Sequence, residues 1–159
     1  DLINGEKSIK ISIIMMTKNL DTGPIYCNKK FKLKKNDTIK TVHQKVNNLF
    51  PGMVSLTIKK IKNKIKPLKQ SKKNIKYYKQ RSEKDGLINW NTKNAQQVYD
   101  FVRALTKPYP GAFYYNNQKI RKIFKCKISK KNPGLRPGTL FYEKNQKFIK
   151  CKKYSIKLI

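Results

Sequence analysis

Alternating apolar and polar positions near the start of the chain predict a pair of strands. Between residues 8 and 16 one face holds Ile9, Ile11, Ile13 and Met15. Because the intervening positions are mostly polar, this is the period-two pattern of a strand with one buried face. The segment Asp21-Thr-Gly-Pro24 then predicts a turn. Residues 25–34 predict a second strand, so a polar loop joins two short strands in this region.

Apolar residues at helical spacing predict two helices after these strands. Asn36-Asp37-Thr38 is typical of a helix start. The apolar positions that follow at helical intervals are Ile39, Val42, Val46, Leu49 and Phe50. Pro51-Gly52 predicts the end of this helix, because proline lacks the amide hydrogen and glycine lowers helix propensity. A second, less regular helix is predicted over residues 53–65, ending before Pro67.

The remaining residues predict a linker, one helix and a small β domain. Residues 71–86 are rich in Lys and Gln without periodicity, which is typical of a linker. Asn91-Thr92 predicts the start of the clearest helix, whose apolar stripe ends at Leu105 before two prolines. Short β-prone runs follow at 112–115, 120–128, 139–142, 148–151 and 154–159. Several short strands at this spacing indicate a small antiparallel barrel.

The charge of the chain is compatible with polyanion binding but does not require it. The net charge is +31, with 39 basic and 8 acidic residues. Four of the basic residues are Arg, so 35 are Lys, whereas nucleic-acid sites depend on the planar fork of Arg. Lys, Ile and Asn, which dominate the composition, share A- and T-rich codons. We therefore favour codon drift at solvated positions over selection for nucleic-acid binding.

The cysteines and the single histidine argue against metal chemistry. Cys27, Cys126 and Cys151 are far apart, and none has the spacing of a zinc site. An odd number of cysteines fits a reducing compartment, so we expect a cytoplasmic protein without a disulfide framework. His43 falls inside a helical pattern, where a solvated or half-buried role is expected. No metal ligands are predicted.

Three segments resemble the folate-dependent formyltransferases. The first is the strand and loop that end in Leu20-Asp-Thr-Gly-Pro24, similar to a loop of that family's catalytic domain. The second, Asp85-Gly-Leu-Ile-Asn-Trp90, resembles the segment that enters the family's carboxyl-terminal domain. The third, Pro108-Tyr-Pro-Gly-Ala-Phe113, is more similar to the sugar-amine formyltransferases than to the branch that formylates initiator methionyl-tRNA. The order and spacing of the three make the resemblance strong.

The resemblance implies transfer of a formyl group from N10-formyltetrahydrofolate to a primary amine. In the sugar branch the amine belongs to a nucleotide-linked amino sugar, used in cell-envelope polysaccharides such as lipopolysaccharide. Asp21 matches the family's catalytic aspartate, and an amine attacks only when unprotonated, so a carboxylate can take or position its proton. Thr17, Lys18, Asn19 and Leu20 match the loop that lines the folate site beside the aspartate.

Two residues in the second half of the chain are candidates for substrate binding. The indole of Trp90 is suited to stacking on a nucleobase, but a lone Trp before a helix is also typical of core packing. The guanidinium of Arg103 is suited to a phosphate, and equally to a nearby acid such as Asp100. The residue types alone leave both alternatives open.

The resemblance also implies the fold and its division into domains. Residues 1–70 correspond to the end of a Rossmann-like catalytic domain, 71–86 to a basic linker, and 87–159 to an OB-like β-barrel with one helix, an α/β chain as a whole. In the family an Asn and a His assist the aspartate from a segment well before it, whereas 20 residues precede Asp21 here. We therefore expect the carboxyl-terminal part of a larger enzyme, completed by a missing amino-terminal half or a partner chain. Alone it should not transfer formyl groups.

Two other functions are compatible with the sequence. In the first, the chemistry is unchanged and the acceptor is initiator methionyl-tRNA, whose backbone the barrel and basic linker would hold. In the second, the chain is a non-catalytic module that binds single-stranded nucleic acid through its OB-like part. The charge favours both, and the Pro108–Phe113 segment disfavours the tRNA acceptor.

Overall fold

The computed structural model describes residues 1–71, 78 and 80–159, so residues 72–77 and 79 of the predicted linker 71–86 lie outside the described residues. The chain forms two compact units. Residues 7–34 and 41–80 form the first, which we call the hairpin–helix unit. Residues 1–6, 35–40 and 81–159 form the second, the carboxyl-terminal unit. The domain boundaries that the sequence predicts at residues 70 and 86 stay a prediction.

Both strands predicted near the start of the chain are present as an antiparallel hairpin. β1 (Ser8–Ile14) pairs with β2 (Ile25–Lys32), with Ser8 opposite Lys32 and an irregularity between Ile13 and Ile14. Met15 was predicted on the buried face but is 46% exposed. The reason is that the regular ladder ends at this irregularity, so the alternation of faces does not continue past Ile14.

A single helix replaces the two that were predicted between residues 39 and 65. α1 (Ile39–Lys62) runs through Pro51, so the predicted break at Pro51-Gly52 is wrong. Pro51 is exposed, while Met53, two residues later, is fully buried. Burial of such a side chain contributes about 2 kcal/mol, comparable to the roughly 3 kcal/mol that an interior proline costs. Tertiary packing therefore keeps this helix continuous.

The end of α1 also differs from the prediction, in this case for a local reason. The helix stops at Lys62 rather than at residue 65, because Lys64 adopts a left-handed conformation with φ 56°. The amide of Ile65 then donates to the carbonyl of Lys60 at 2.9 Å, and the amide of Lys64 to that of Ile61 at 2.9 Å. These bonds form a Schellman motif, here with lysine in the position that glycine usually takes.

The carboxyl-terminal unit contains one long helix and two short 3-10 turns. The turns are η1 (Leu2–Asn4) and η2 (Glu83–Gly86), and the helix is α2 (Ala95–Leu105). Asn94 caps α2, since its side chain accepts from the amide of Gln97 at 2.9 Å and the Gln97 side chain accepts in return from the Asn94 amide. The predicted start at Asn91-Thr92 is therefore three residues early.

Six strands form two separate sheets in this unit. β3 (Ala112–Asn116) pairs with β4 (Lys119–Ile123). The other four are β5 (Cys126–Ser129), β6 (Leu140–Glu143), β7 (Gln146–Lys150) and β8 (Ser155–Leu158), in the antiparallel order β5-β8-β7-β6. The strand predicted over 120–128 is divided at residues 124 and 125. Among the described strands no pairing joins the two sheets, so the closed barrel is not confirmed.

The core of the carboxyl-terminal unit lies between α2 and these sheets. Its fully or almost fully buried members include Val98, Val102, Ala112, Ile149, Cys151 and Ile156. Because α2 presents its apolar stripe to this cluster, the polar residues at the helix start remain outside it. The core thereby positions Trp90 and Arg103, which flank or belong to α2.

Candidate functional site

The loop between β1 and β2 carries the predicted catalytic and cofactor-binding residues. Thr17, Lys18, Asn19, Leu20 and Asp21 are contiguous in this loop and all are exposed. Leu20 retains 89% of its accessible surface, and Asp21 has a left-handed backbone with φ 54°. An aspartate tolerates this conformation better than most residues. The loop therefore exposes the carboxylate of Asp21 and the apolar side chain of Leu20.

Short hydrogen bonds within the loop hold its backbone in place. The hydroxyl of Thr17 donates to the carbonyl of Asn19 at 3.0 Å, and that of Thr22 donates to the same carbonyl at 3.1 Å. The two hydroxyl oxygens are 2.8 Å apart. Because both threonines converge on one carbonyl, they stabilise the turn immediately before Asp21.

A second set of contacts fixes the far side of the loop. The side-chain amide of Gln70 donates to the carbonyls of Asp21 at 2.8 Å and Gly23 at 2.6 Å. The amide of Met15 donates to the carbonyl of Pro24 at 2.9 Å. A Cβ on Gly23 would lie 1.6 Å from the Met15 carbonyl oxygen, so only glycine fits there. The loop is exposed, yet its backbone is held at both ends.

Sequence reasoning missed two members of this arrangement. Thr22 belongs to the segment that carries the resemblance, so its hydroxyl could have been included. Gln70 lies 49 residues after Asp21, in a polar stretch without periodicity, and no local pattern marks it. Such a contact follows from tertiary structure alone.

Arg103 is held in a buried network within the carboxyl-terminal unit. Its Nε donates to Oδ1 of Asp100 at 2.6 Å, and its Nη1 donates to the carbonyl of Asp37 at 2.9 Å. Oδ2 of Asp100 accepts from Gln96 at 3.0 Å. The alternative in which Arg103 pairs with Asp100 is therefore realised. Its role in substrate binding stays a prediction.

Trp90 packs at the edge of the core. Its ring meets that of Tyr114 edge to face, with centroids 5.7 Å apart and an interplanar angle of 80°. A Cβ on Gly138, which has φ 90°, would lie 3.0 Å from the indole. These contacts realise the packing role, and stacking on a substrate base stays a prediction. Trp90 and Arg103 occupy different surroundings, and the structure does not bring them together.

The cysteines are unsuited to nucleophilic chemistry. All three are free and buried. Burial, and secondarily Cys151, raises the pKa of Cys126 to about 12. Burial likewise raises the pKa of Cys151 to about 11, although a hydrogen bond from the Ile156 backbone and the charge of Lys150 oppose the rise. Both thiols are therefore protonated at neutral pH, whereas the reactive form is the thiolate.

The described residues contain neither a cluster of metal ligands nor a helix that could span a membrane. Within 1–71, 78 and 80–159, no group of three or more His, Cys, Asp or Glu side chains could hold a metal ion. Within the same residues, no helix has the length and apolar character that a membrane span requires.

The carboxyl-terminal half of the chain defines its class of protein. Residues 80–159 match the family described as "Formyl transferase, C-terminal domain", which is half of the chain. The chain therefore belongs to the formyl transferase family, and the resemblance seen in the sequence is confirmed.

Curated relatives come from two branches of this family. The chain is 38% identical over 99% of its length to the bifunctional polymyxin resistance protein ArnA of Wigglesworthia glossinidia brevipalpis, of which it covers 24%. It is 30% identical over 99% of its length to the methionyl-tRNA formyltransferase of Caldanaerobacter subterraneus, of which it covers 51%. The chain thus spans between about a quarter and a half of these relatives.

Solved structures share the fold. An N-formyltransferase from Helicobacter canadensis, in complex with folinic acid and dTDP-3-aminofucose, matches 99% of this chain and 57% of its own, with a TM-score of 0.64 and 22% identity. HypX from Aquifex aeolicus, in complex with tetrahydrofolic acid, matches 99% of this chain and 28% of its own, with a TM-score of 0.72 and 15% identity.

Proposed function

We propose that the chain is part of an N-formyltransferase that uses N10-formyltetrahydrofolate and formylates the primary amine of a nucleotide-linked amino sugar. The observation that carries this proposal is the 38% identity to ArnA across almost the whole chain. The Pro108–Phe113 segment supports the same branch. The relative from Helicobacter canadensis, whose complex contains an amino sugar linked to dTDP, supports it through the shared fold.

The loop between β1 and β2 fits the chemistry of this reaction. When bound, N10-formyltetrahydrofolate supplies the formyl group. Asp21 accepts or orients a proton of the acceptor amine, since only the neutral amine has a free electron pair for attack. Leu20 offers an apolar surface for the aromatic part of a folate, and Lys18 offers a cation for its carboxylates. Gln70 keeps Asp21 in position through its backbone.

The hairpin–helix unit has an exposed apolar surface. This surface supports the proposal that an additional segment of protein completes the catalytic site. One stripe of α1 and the segment after it exposes Phe50, Val54, Ile58, Ile61 and Ile65 by 37% to 51%. Exposed apolar patches of this kind mark interaction surfaces. We infer that a further formyltransferase segment, in the same polypeptide or as a partner chain, covers this stripe and supplies the groups that act beside Asp21.

Reconstitution tests the proposal. The chain is mixed with, or fused to, the amino-terminal formyltransferase segment of the ArnA relative. Release of tetrahydrofolate is then measured with nucleotide-linked amino sugars and with methionyl-tRNA. We expect turnover with an amino sugar and none by the 159-residue chain alone. Asp21→Asn should lower kcat by roughly 10²- to 10⁴-fold.

A matched variant separates catalysis from general charge effects. Glu6→Gln also removes one exposed carboxylate, and its turnover should stay within about twofold of the parent. Activity of Asp21→Asn equal to that of Glu6→Gln would show that Asp21 is not catalytic. Turnover by the 159-residue chain alone would show that no further segment is needed.

Methionyl-tRNA is the second candidate acceptor, and the 30% identity to a methionyl-tRNA formyltransferase favours it. The two acceptors are distinguished by competition. If tRNA displaces a nucleotide-linked amino sugar and alone supports turnover in the reconstituted enzyme, the tRNA branch is correct.

A further inference from the structure

The chain that follows α1 pairs with the start of β2 before it enters the predicted linker. We call residues 67–70 the exit segment. The amide of Ile25 donates to the carbonyl of Leu68 at 2.7 Å, and the amide of Leu68 donates to the carbonyl of Ile25 at 2.9 Å, as an antiparallel β-bridge. Pro67 favours extended backbone in the residue before it. The exit segment therefore lies against the hairpin.

The register of this bridge places Gln70 opposite Gly23. Leu68 lies opposite Ile25. In an antiparallel pair the partner's number falls by one for each residue along the chain, so the position opposite Gln70 is Gly23. At this position a side chain takes the place of the backbone ladder, because the side-chain amide of Gln70 donates to the carbonyl of Gly23 at 2.6 Å.

The same amide nitrogen bridges the two residues on either side of Thr22. It donates to the carbonyl of Asp21 at 2.8 Å as well as to that of Gly23. A primary amide nitrogen carries two hydrogens, so each carbonyl can accept one of them. Both partners are acceptors, and the oxygen end of the Gln70 amide therefore could not replace the nitrogen end here. The contact depends on hydrogen-bond donation and not on side-chain shape alone.

These bonds restrict the direction of the Asp21 carboxylate. Asp21 has a left-handed backbone with φ 54°, a conformation that few residues other than glycine adopt. Its carbonyl carbon and its Cβ are bonded to the same Cα, so a bond that holds the carbonyl also limits the direction in which the side chain leaves the backbone. The side chain itself is exposed, and its placement therefore depends on how the backbone is held.

The strand that supports Gln70 is held from α1 as well. Nζ of Lys60 in α1 donates to the carbonyl of Tyr26 at 2.8 Å. Because Ile25 is bonded to Leu68, α1 and the exit segment hold consecutive residues of β2. Gln70 thus reaches the loop from backbone that is already fixed, and only its side chain has to be ordered when the two bonds form.

We propose that the exit segment is part of the catalytic apparatus and that Gln70 is a positioning residue for formyl transfer. Gln70 acts through the backbone of Asp21 and not on the substrate. It keeps the Asp21 carboxylate where it can accept or orient a proton of the acceptor amine. This proposal rests on the proposed function. It extends the site from the loop between β1 and β2 to the residue that directly precedes the predicted linker 71–86.

Two substitutions at Gln70 separate donation from packing. Gln70→Met keeps the length of the side chain and removes its donors, whereas Gln70→Lys keeps donors in an ammonium group. In the reconstituted enzyme, Gln70→Met should lower kcat by roughly 10- to 100-fold, because a displacement of about 1 Å can cost about 10²-fold in rate. The KM for the amino sugar should stay within about threefold. Gln70→Lys should be at least about fivefold faster than Gln70→Met.

Gln44 provides the matched control. It is an exposed glutamine of α1, in the same unit but outside the loop and the exit segment. Gln44→Met and Gln44→Lys make the same changes of shape and charge. Both should keep kcat within about twofold of the parent, so any larger effect at Gln70 belongs to its contact with the loop.

Backbone relaxation of the ¹⁵N-labelled 159-residue chain tests the contact without catalysis. The steady-state ¹H–¹⁵N NOE reports motion of each amide on the picosecond to nanosecond timescale. Gln70→Met should lower the NOE of the Asp21, Thr22 and Gly23 amides. Gln70→Lys and Gln44→Met should leave these values close to those of the parent.

Three outcomes would overturn the proposal. The parent's kcat in Gln70→Met would mean that the contact does not position Asp21. A kcat for Gln70→Met equal to or above that of Gln70→Lys would mean that side-chain shape matters and donation does not. Unchanged NOE values in Gln70→Met would mean that Gln70 does not hold the loop.

Failure of the proposed function gives a different result. If the parent reconstituted enzyme shows no turnover with any acceptor, the proposed function is wrong, and the catalytic role of Gln70 is wrong with it. The NOE values still decide whether Gln70 holds the loop, since that measurement needs neither substrate nor a further segment.

Discussion

Gly23 lies where the loop between β1 and β2 turns back against Met15. Substituting alanine should lower the free energy of unfolding by at least about 1 kcal/mol and displace the Asp21 loop, because the new Cβ would lie 1.6 Å from a backbone oxygen. Urea denaturation of the purified chain measures the change. Gly52→Ala is the control, since nothing lies within 4 Å of its Cβ. It should raise stability by up to about 1 kcal/mol, as alanine favours helix.

Equal destabilisation by the two glycine variants would contradict this account. Gly52 lies inside α1 with open space around it, so its replacement tests helix propensity alone. Gly23 tests the close approach of two backbone segments. The difference between the variants therefore isolates the contact that shapes the candidate site.

The buried thiols make the stability of the chain depend on alkaline pH. In the folded chain Cys126 and Cys151 have pKa values of about 12 and about 11, both raised from 9.0 by burial. Above pH 9 the unfolded chain therefore loses these protons before the folded chain does. The protonated thiols make their full contribution to the free energy of unfolding below pH 9. This contribution is lost as the pH rises towards 11 to 12.

Denaturation midpoints in urea at pH 8.5 and 10.5, under reducing conditions, check this expectation. The parent should lose more stability over this interval than the double variant Cys126→Ala with Cys151→Ala. Lysines titrate in the same range, but they are common to both proteins and cancel in the comparison. An identical loss in the two proteins would show that the thiols are not responsible.

At the scale of elements, α1 shows how packing overrides a local rule. Replacing Pro51 with Ala should restore a helix hydrogen bond to the carbonyl of Asn47 and raise the free energy of unfolding by about 1 to 3 kcal/mol. Amide hydrogen exchange along α1 measures the gain in protection. Pro67→Ala, outside the helix, should change neither protection nor stability by more than about 0.5 kcal/mol. Equal effects from both prolines would contradict the expectation.

The elements that sequence patterns predicted well are those whose pattern is local. The hairpin follows from alternation around a polar turn, and α2 follows from a regular apolar stripe. Its start was predicted three residues early because Asn91 and Asn94 are both good capping residues. Only Asn94 has Gln97 in position to complete the reciprocal bonds. The strand predicted over 120–128 failed because a bend at residues 124 and 125 divides a β-prone stretch without a glycine or proline to mark it.

At the scale of the whole molecule, the net charge of +31 predicts weak, salt-sensitive binding of nucleic acid. We expect an unstructured RNA 20-mer to bind with a Kd above about 1 µM at 0.15 M salt, and far more tightly at low salt. Fluorescence anisotropy measures both. Tyr115→Ala removes an exposed aromatic ring of β3 and should leave the affinity within twofold. A Kd below 1 µM for the parent, together with a tenfold higher Kd for Tyr115→Ala, would instead favour a nucleic-acid-binding module.

Local patterns in the sequence determined the family, the hairpin, the position of Asp21 in a polar loop and the α2 helix, because each depends on neighbouring residues and on their backbone preferences. Tertiary structure alone decided that α1 continues through Pro51, that Gln70 holds the Asp21 loop, and that the carbonyl of Asp37 accepts a hydrogen bond from Arg103. It also decided that the strands form two sheets. These outcomes depend on contacts between residues far apart in the chain, and such contacts leave no periodic signal in the sequence.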